Sequence, residues 1–268
     1  MALFCLAKTR MDLHISIEEV EDLSQIQVRQ LGCHVSSKKK LCHDVIALHI
    51  TLDNNERLQY LAGQYIEFIL EDGKRRAFSI ANAPHNDDLL ELHIRHVDGG
   101  VFTDFLFSSM LEDSALQMKG PLGSFFIRED RQRPIIMMGG GTGFGPLKAM
   151  LEHIEYVNYP QPVHLFMGVR ALRDLYMQQM VQQWMEKNPH LTFTAVLSEP
   201  MAEDNWQGET GFVHESVARH YPDLSGFDVY MSGPPPMINA AADVFTQVGA
   251  SKDTMFSDAF EYSSDAIR

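Results

Sequence analysis

The stretch Pro134–Leu151, PIIMMGGGTGFGPLKAML, reads as strand, glycine turn and helix. Ile135 to Met138 is a short unbroken apolar run, as expected of a parallel strand covered on both faces. Pro146 stands where the first helical turn opens, because the N–H it lacks is one the helix leaves unused. Beyond it Leu147, Met150, Leu151 and Ile154 fall on one helical face. Between the two, Gly139 to Gly145 is a loop almost without side chains that ends on a helix N-terminus, where free N–H groups favour phosphate or pyrophosphate.

Two better-known glycine motifs do not fit this loop. A phosphate loop started at Gly140 needs Lys and Ser/Thr after Gly145 and finds Pro146 and Leu147. A Rossmann G-x-G-x-x-G/A started at Gly139 or Gly141 finds Phe144 or Pro146 in its third place. Taken alone, the loop fits a ligand-free βα turn as well as a phosphate site.

Outward from this stretch the rhythm differs on the two sides. After Pro134, apolar runs at 135–138, 163–167, 192–197, 228–231 and 254–256 alternate with helix-like stretches. One of these, Leu175 to Lys187, groups Met177, Val181, Trp184 and Met185; another, Met237 to Val248, ends at Gly249. Five runs with four crossovers predict a five-stranded parallel sheet with flanking helices. Before Pro134, from Ile26 to Met118, the period is mostly two, as in VIALHITL (45–52), QYIEFIL (64–70) and LLELHIRHV (89–97), with turn signals between. That spacing predicts an antiparallel barrel. The polar string REDRQR, Arg128 to Arg133, reads as the linker.

At 268 residues the chain is long enough for two domains. No apolar run approaches the roughly 20 residues that span a bilayer, and MALFCLAKTR is not built as a signal peptide, so a cytoplasmic location is expected. With 36 acidic against 22 basic residues, the net charge of −14 argues against nucleic acid or an anionic membrane as partner. Cys5, Cys33 and Cys42 have no CxxC spacing, so no disulfide framework and no complete iron–sulfur or zinc site is expected, and no metal ligand is assigned. In HESVARH, His214 and His220 are about 240° apart around a helix, unlike the i, i+4 spacing of zinc pairs. No G-x-S-x-G elbow supports serine hydrolysis.

Two barrel segments carry chemistry-bearing residues. RRAFSIAN, 75–82, puts a planar cation (Arg76), an aromatic ring (Phe78) and a hydroxyl (Ser79) within four positions at a strand end. HIRHVDGGVFT, 93–103, joins Arg95 to Gly99-Gly100 and Thr103, a second backbone cradle for phosphate.

Together these motifs resemble the ferredoxin-NADP reductase superfamily over roughly residues 28 to 262. Arg76-Ala77-Phe78-Ser79 is similar to its R-x-F/Y-S, Gly140 to Pro146 to its G-x-T-G-x-x-P loop, and Ser232-Gly233-Pro234-Pro235-Pro236-Met237 to its S-G-P-P-x-M. GPLGSFF, 120–126, matches the last barrel segment. Within the superfamily the chain looks most like NAD(P)H:flavin reductases and CDP-6-deoxy-glucoseen reductases. The resemblance implies a six-stranded Greek-key barrel for flavin (23–130) and an NAD(P)-binding α/β domain (131–268). Residues 1–22 resemble the tail of a ferredoxin domain, in which Cys5 would be a last ligand without its three companions.

The implied cofactors are FAD, with FMN as the alternative, and NADH or NADPH. A hydride would pass from NAD(P)H to flavin and electrons onward to free flavin or a soluble acceptor. A reductase subunit acting only with an iron–sulfur partner is the alternative, and a separate ferredoxin-like or oxygenase protein is a candidate partner. The resemblance implies that Ser79 and Thr142 face the flavin ring, Arg76 its phosphates, and Gly143, Phe144, Gly145 and Pro146 the dinucleotide pyrophosphate. Ile94, Arg95, Gly100, Phe102 and Thr103 complete the flavin set; Gly140, Gly141, Gly168, Arg170, Ser198, Glu199, Ser232, Gly233, Pro234 and Met237 complete the nicotinamide set, with Phe260 at the end of the chain. Ser79 and Asp258 are the catalytic candidates, Asp258 being either the acid at the flavin edge or a turn aspartate. Phe78, where many relatives have Tyr, implies loosely held flavin. Ser232 stands where plant-type reductases have cysteine. Glu199 at a strand's C-terminal end favours NADH, since it accepts from ribose hydroxyls and opposes a 2′-phosphate, although Arg170 nearby could attract one.

Overall fold

A computed structural model describes residues 26–176 and 178–259. The N-terminal segment with Cys5, the helix-face residue Met177 and the site candidate Phe260 lie outside the described residues.

Strands β1 (Arg29–Lys40), β2 (Val45–Leu52), β3 (Tyr65–Ile69), β4 (Arg75–Ser79), β5 (Leu90–Arg95) and β6 (Ala115–Leu122) form an antiparallel sheet in the order β4-β3-β6-β1-β2-β5. An Ile80–Leu92 bridge brings its two edge strands together, so the sheet curls into the Greek-key barrel. The period of two places Ile66 and Phe68 of β3 in the barrel core with Val35, Leu48, Ile50, Leu92 and Met118. Helix α1 (Val101–Ser108) closes one end with Phe102 and Leu106.

The second half is a parallel sheet: β7 (Ile135–Gly140), β8 (Val163–Val169), β9 (Leu191–Leu197), β10 (Glu209–Thr210), β11 (Asp228–Gly233) and β12 (Met255–Ala259), in the order β10-β9-β8-β7-β11-β12. The five runs read from the sequence are β7, β8, β9, β11 and β12. The sixth strand is two residues long, too short to show a period, and it pairs only at the β9 edge. Helices α2 (Phe144–Tyr156), α3 (Gln178–Lys187), α4 (Val213–His220) and α5 (Pro235–Gln247) are the crossovers. Helix α3 starts later than Leu175 because Leu172–Asp174 forms a 3₁₀ turn that buries Leu175 and Tyr176. Every residue of β7 and β11 is buried, as both-sided cover requires.

The REDRQR string is not a free linker. Asp228, at the start of β11, pairs with Arg131 at 2.7 Å and Arg133 at 3.0 Å, and the Tyr230 hydroxyl accepts the Arg128 N–H at 2.9 Å. A buried polar cluster then joins barrel to sheet. Lys148 of α2, only 3% exposed, donates to the Ala81 carbonyl at 2.9 Å and pairs with Glu91 at 3.1 Å and Glu152 at 2.8 Å. Glu152 in turn accepts the Ala83 N–H at 3.0 Å. His93 bonds Glu91 through Nε2 at 2.8 Å and meets the Tyr176 hydroxyl through Nδ1 at 3.2 Å. Burial lowers the His93 pKa and keeps the ring neutral. With Nε2 as donor to Glu91, Nδ1 is left as an acceptor, and the Tyr176 proton goes either there or to the Gly141 carbonyl at 3.4 Å.

Candidate functional site

The strand order reverses at β7: β8 and β9 lie on one side and β11 and β12 on the other, so the C-terminal ends of β7 and β11 flank a crevice. The turn Gly141–Gly143 sits there, with glycine at both ends because a side chain would not fit at either. A β-carbon on Gly143 would stand 2.1 Å from the Ser232 carbonyl oxygen at the end of β11. Gly141 has φ +55°, and a β-carbon on it would stand 3.0 Å from the Arg95 guanidinium. Arg95 therefore reaches from barrel strand β5 over the glycine turn, held by an ion pair with Asp44 at 3.0 Å. Ser232 is fully buried, and its hydroxyl has no hydrogen-bond partner among the described residues.

A cleft of about 1080 Å³ opens from this crevice between barrel and sheet. Gly140, Gly141, Gly168, Arg170, Ser198, Glu199, Pro234 and Met237 line it from the sheet side and Arg95 from the barrel side. The Glu199 N–H bonds the Arg170 carbonyl at 2.8 Å, and the Ser198 N–H bonds Val169 at 2.9 Å, so the rival acid and base stand side by side at the ends of β8 and β9. Although the chain is acidic overall, Arg95, Arg170 and Arg173 converge on this cleft. Phe144, Gly145 and Pro146 do not line it. Each is buried, with Phe144 beside His93 at 6.2 Å between ring centres and Gly145 facing Ala81 and His93. The first turn of α2 is packed against the barrel, so Phe144 and Gly145 can meet a pyrophosphate only through their backbone N–H groups, and Pro146 has none to offer.

On the barrel side, Ile94 and Phe102 are buried, and Phe78 joins Phe68 and Phe102 with ring centres 5.6–5.8 Å apart. The Ile94 and Phe102 side chains thus belong to the barrel core, which leaves their backbone for a ligand. Thr103 is not an open cradle hydroxyl either: its Oγ1 accepts from Val97 N–H at 3.2 Å and faces the Val97 and Gly100 carbonyls at 3.0 and 3.1 Å, fixing the start of α1. Arg76 is half-buried, with Nη1 donating to the Arg75 carbonyl at 2.9 Å.

The structure brings the two catalytic candidates together. Ser79, at the end of β4, donates to Oδ2 of Asp258, on β12, at 2.9 Å, across 179 positions of sequence. Burial raises the Asp258 carboxyl to about 6, against the opposing pull of the Ser79 hydrogen bond. Asp258 lies within β12, which excludes the turn-aspartate reading.

Sequence reasoning passed over other residues of the cleft. Phe212 is 60% exposed on its wall, with its ring nearly parallel to that of His214, 5.7 Å away. His43, Asp44, Arg173 and Asp174 are at the rim. Only an aromatic and a histidine two apart at the start of a helix could have signalled Phe212 and His214.

A glycine-flanked turn, an orphaned buried hydroxyl and three arginines suit a dinucleotide. Arg76, Ser79 and the backbone of β5 suit a flavin whose ring would face the same crevice. Comparison with known proteins agrees. Residues 32–127 match the oxidoreductase FAD-binding domain and residues 137–243 the oxidoreductase NAD-binding domain. The chain is 38% identical over 258 residues to CDP-6-deoxy-L-threo-D-glycero-4-hexulose-3-dehydrase reductase of Yersinia pestis, covering 96% of this chain and 77% of that protein. It is 32% identical to the reductase component of phenol 2-monooxygenase from Pseudomonas sp. (strain CF600), covering 86% of this chain and 65% of that protein. Among solved structures, the cytochrome P450 reductase GcoB of Amycolatopsis superposes with a TM-score of 0.82 at 30% identity, covering 88% of this chain and 71% of that one.

Proposed function

Because the chain belongs to the ferredoxin-NADP reductase superfamily, as an NAD(P)H-dependent flavin oxidoreductase, we propose that it oxidises NADH and delivers the electrons to a separate iron–sulfur or oxygenase-type protein. The hydrogen bond that joins Ser79 of the barrel to Asp258 of the sheet carries this reading, since it supports a hydroxyl and a carboxyl of raised pKa acting together where the two cofactors would meet. FAD, when bound, accepts a hydride and releases electrons one at a time. The protein's share is placement. Arg76 and the β5 backbone would hold the flavin, while Gly140, Gly141 and Arg95 would hold the pyrophosphate of the dinucleotide. Ser232 would bond the nicotinamide end, and Phe212 with His214 offers a flat surface for a base. The Ser79–Asp258 pair can hold a proton at the crevice. Glu199 supports NADH over NADPH.

The names of the relatives support the partner: one is the reductase for a dehydrase, the other the reductase component of a monooxygenase. A boundary near 130/131 is supported by the two family matches falling on either side of it. No helix among the described residues is long and apolar enough to cross a membrane, and the cytoplasmic assignment goes with that and with the free thiols of Cys33 and Cys42.

The test is direct. Purified protein is scanned for flavin absorbance and assayed for NADH oxidation with added FAD, FMN or riboflavin, using an artificial one-electron acceptor. Turnover dependent on FAD is expected, with part of the FAD lost on gel filtration because Phe78 offers no phenol hydroxyl. Absence of both flavin binding and flavin-stimulated oxidation would overturn the proposal; stoichiometric FAD surviving dialysis would remove the loose-flavin part alone.

A further inference from the structure

The loop between β1 and β2 holds three consecutive metal-ligand types, Cys42, His43 and Asp44, of which the redox reading uses only one oxygen of Asp44, toward Arg95. Cys42 Sγ lies 3.3 Å from Oδ1 of Asp44, and Nε2 of His43 lies 3.7 Å from the same oxygen. One ligand atom from each residue lies within 4.8 Å of the others. Bonds of about 2.0–2.3 Å in a tetrahedral zinc site set its ligand atoms roughly 3.3–3.8 Å apart, so small side-chain movements suffice to close the set around an ion.

Two further contacts point the same way. The other imidazole nitrogen, Nδ1 of His43, faces Oδ1 of Asp174 at 3.6 Å. A carboxylate behind the second nitrogen is the arrangement that fixes the tautomer of a metal-bound imidazole. Asp174 is itself anchored, its Oδ2 accepting the Ala171 N–H at 3.0 Å. Asp44 is divided likewise: Oδ2 meets Arg95 at 3.0 Å, and Oδ1 is turned toward Cys42 and His43. The thiol, imidazole and carboxylate come from the barrel, while the orienting carboxylate comes from the loop after β8.

We propose that Cys42, His43 and Asp44 bind a zinc-class divalent cation at the rim of the dinucleotide cleft, with Asp174 as the carboxylate that orients His43. A thiolate, imidazole and carboxylate set suits zinc over magnesium or calcium, which favour oxygen alone. Binding displaces the Cys42 thiol proton to solvent. The CxxC and HxxxH spacings sought in sequence miss such a set, because three adjacent residues on a tight loop converge without a spacer.

The experiment uses the full chain, reduced and freed of metal with a chelator, and titrates it with Co²⁺ and then Zn²⁺. The expected result is a thiolate-to-cobalt charge-transfer band saturating at one equivalent and displaced by Zn²⁺. Cys42→Ser abolishes the band while leaving FAD-dependent NADH oxidation intact, Cys5→Ser and Cys33→Ser retain it, and the exposed His43→Ala loses it as an independent check. Asp174→Asn weakens Zn²⁺ binding by about tenfold to a hundredfold. Absence of the band, or its survival in both Cys42→Ser and His43→Ala, overturns the site; unchanged affinity in Asp174→Asn overturns the orienting role.

Discussion

Asp258 is the residue whose environment departs most usefully from its ordinary chemistry. Its folded pKa of about 6 lies above the usual 3.8, so the folded state binds the proton more tightly than the unfolded chain. That contribution to stability is complete below about pH 4 and is lost as pH rises through 6. At pH 7 the buried carboxylate costs about 3 kcal/mol. Asp258→Asn is therefore expected to raise the thermal midpoint at pH 7 while slowing NADH oxidation, with the stability gain gone at pH 4. A variant no more stable than wild type at pH 7 would contradict the shift. Glu199 is tested by specificity. Removing one charge at contact distance in water is worth about 1 kcal/mol, or roughly fivefold. Glu199→Gln should raise kcat/KM for NADPH by that factor and leave NADH nearly unchanged; a wild-type preference for NADPH that the substitution does not alter would show that Arg170 dominates.

At the scale of an element, the β7 turn and the first turn of α2 contain glycines with opposite expected behaviour. Gly143→Ala drives a methyl into the Ser232 carbonyl, 2.1 Å away, and both are main-chain segments that cannot rotate aside. Separating the ends of β7 and β11 should cost about 1–3 kcal/mol and weaken NADH binding. Gly145 lies within α2, where a β-carbon would meet Ala81 and His93 at 3.6 Å, ordinary contact. Gly145→Ala should be neutral or stabilise by about 0.5–1 kcal/mol. Urea unfolding of the two variants side by side gives the order, and a reversed order would refute this account of the loop.

Across the whole molecule, barrel and sheet are held in register by the cluster around Lys148. Burial alone would raise the pKa of Glu91, but hydrogen bonds from His93 and Lys148 hold it at about 2. Its contribution is present above about pH 4.5 and lost as pH falls toward 2. Lys148→Met retains the stem but leaves Glu91 and Glu152 without their buried cation, an uncompensated burial that costs about 3–5 kcal/mol. The measurable outcome is a lower urea midpoint at pH 7, with the deficit shrinking as the carboxylates are protonated at low pH. A deficit independent of pH would mean that packing, not charge, joins the two halves.

Local order was written in the sequence. Alternation over 45–52 and 64–70 and apolar runs at 135–138 and 229–231 became barrel and parallel strands because side-chain period is a property of neighbouring residues. Of the glycines at 139–145, Gly141 and Gly143 marked the turn, since a missing β-carbon acts at its own position, whereas Gly139 and Gly140 extend β7 and Gly145 lies in α2. A two-residue strand such as β10 has no period to detect, and its pairing with β9 depends on a distant partner. The same holds for the site. Ser79 and Asp258 could each be singled out by motif, but only the packing of β4 near β12 made them one hydrogen-bonded pair. Folding also turned Phe144 and Gly145 toward the barrel and exposed Phe212 on the cleft wall. Lys148, an unremarked residue on a helical face, became the buried link between the two halves. Which groups meet across hundreds of positions is settled by how two cores pack, and one-dimensional patterning carries no term for that.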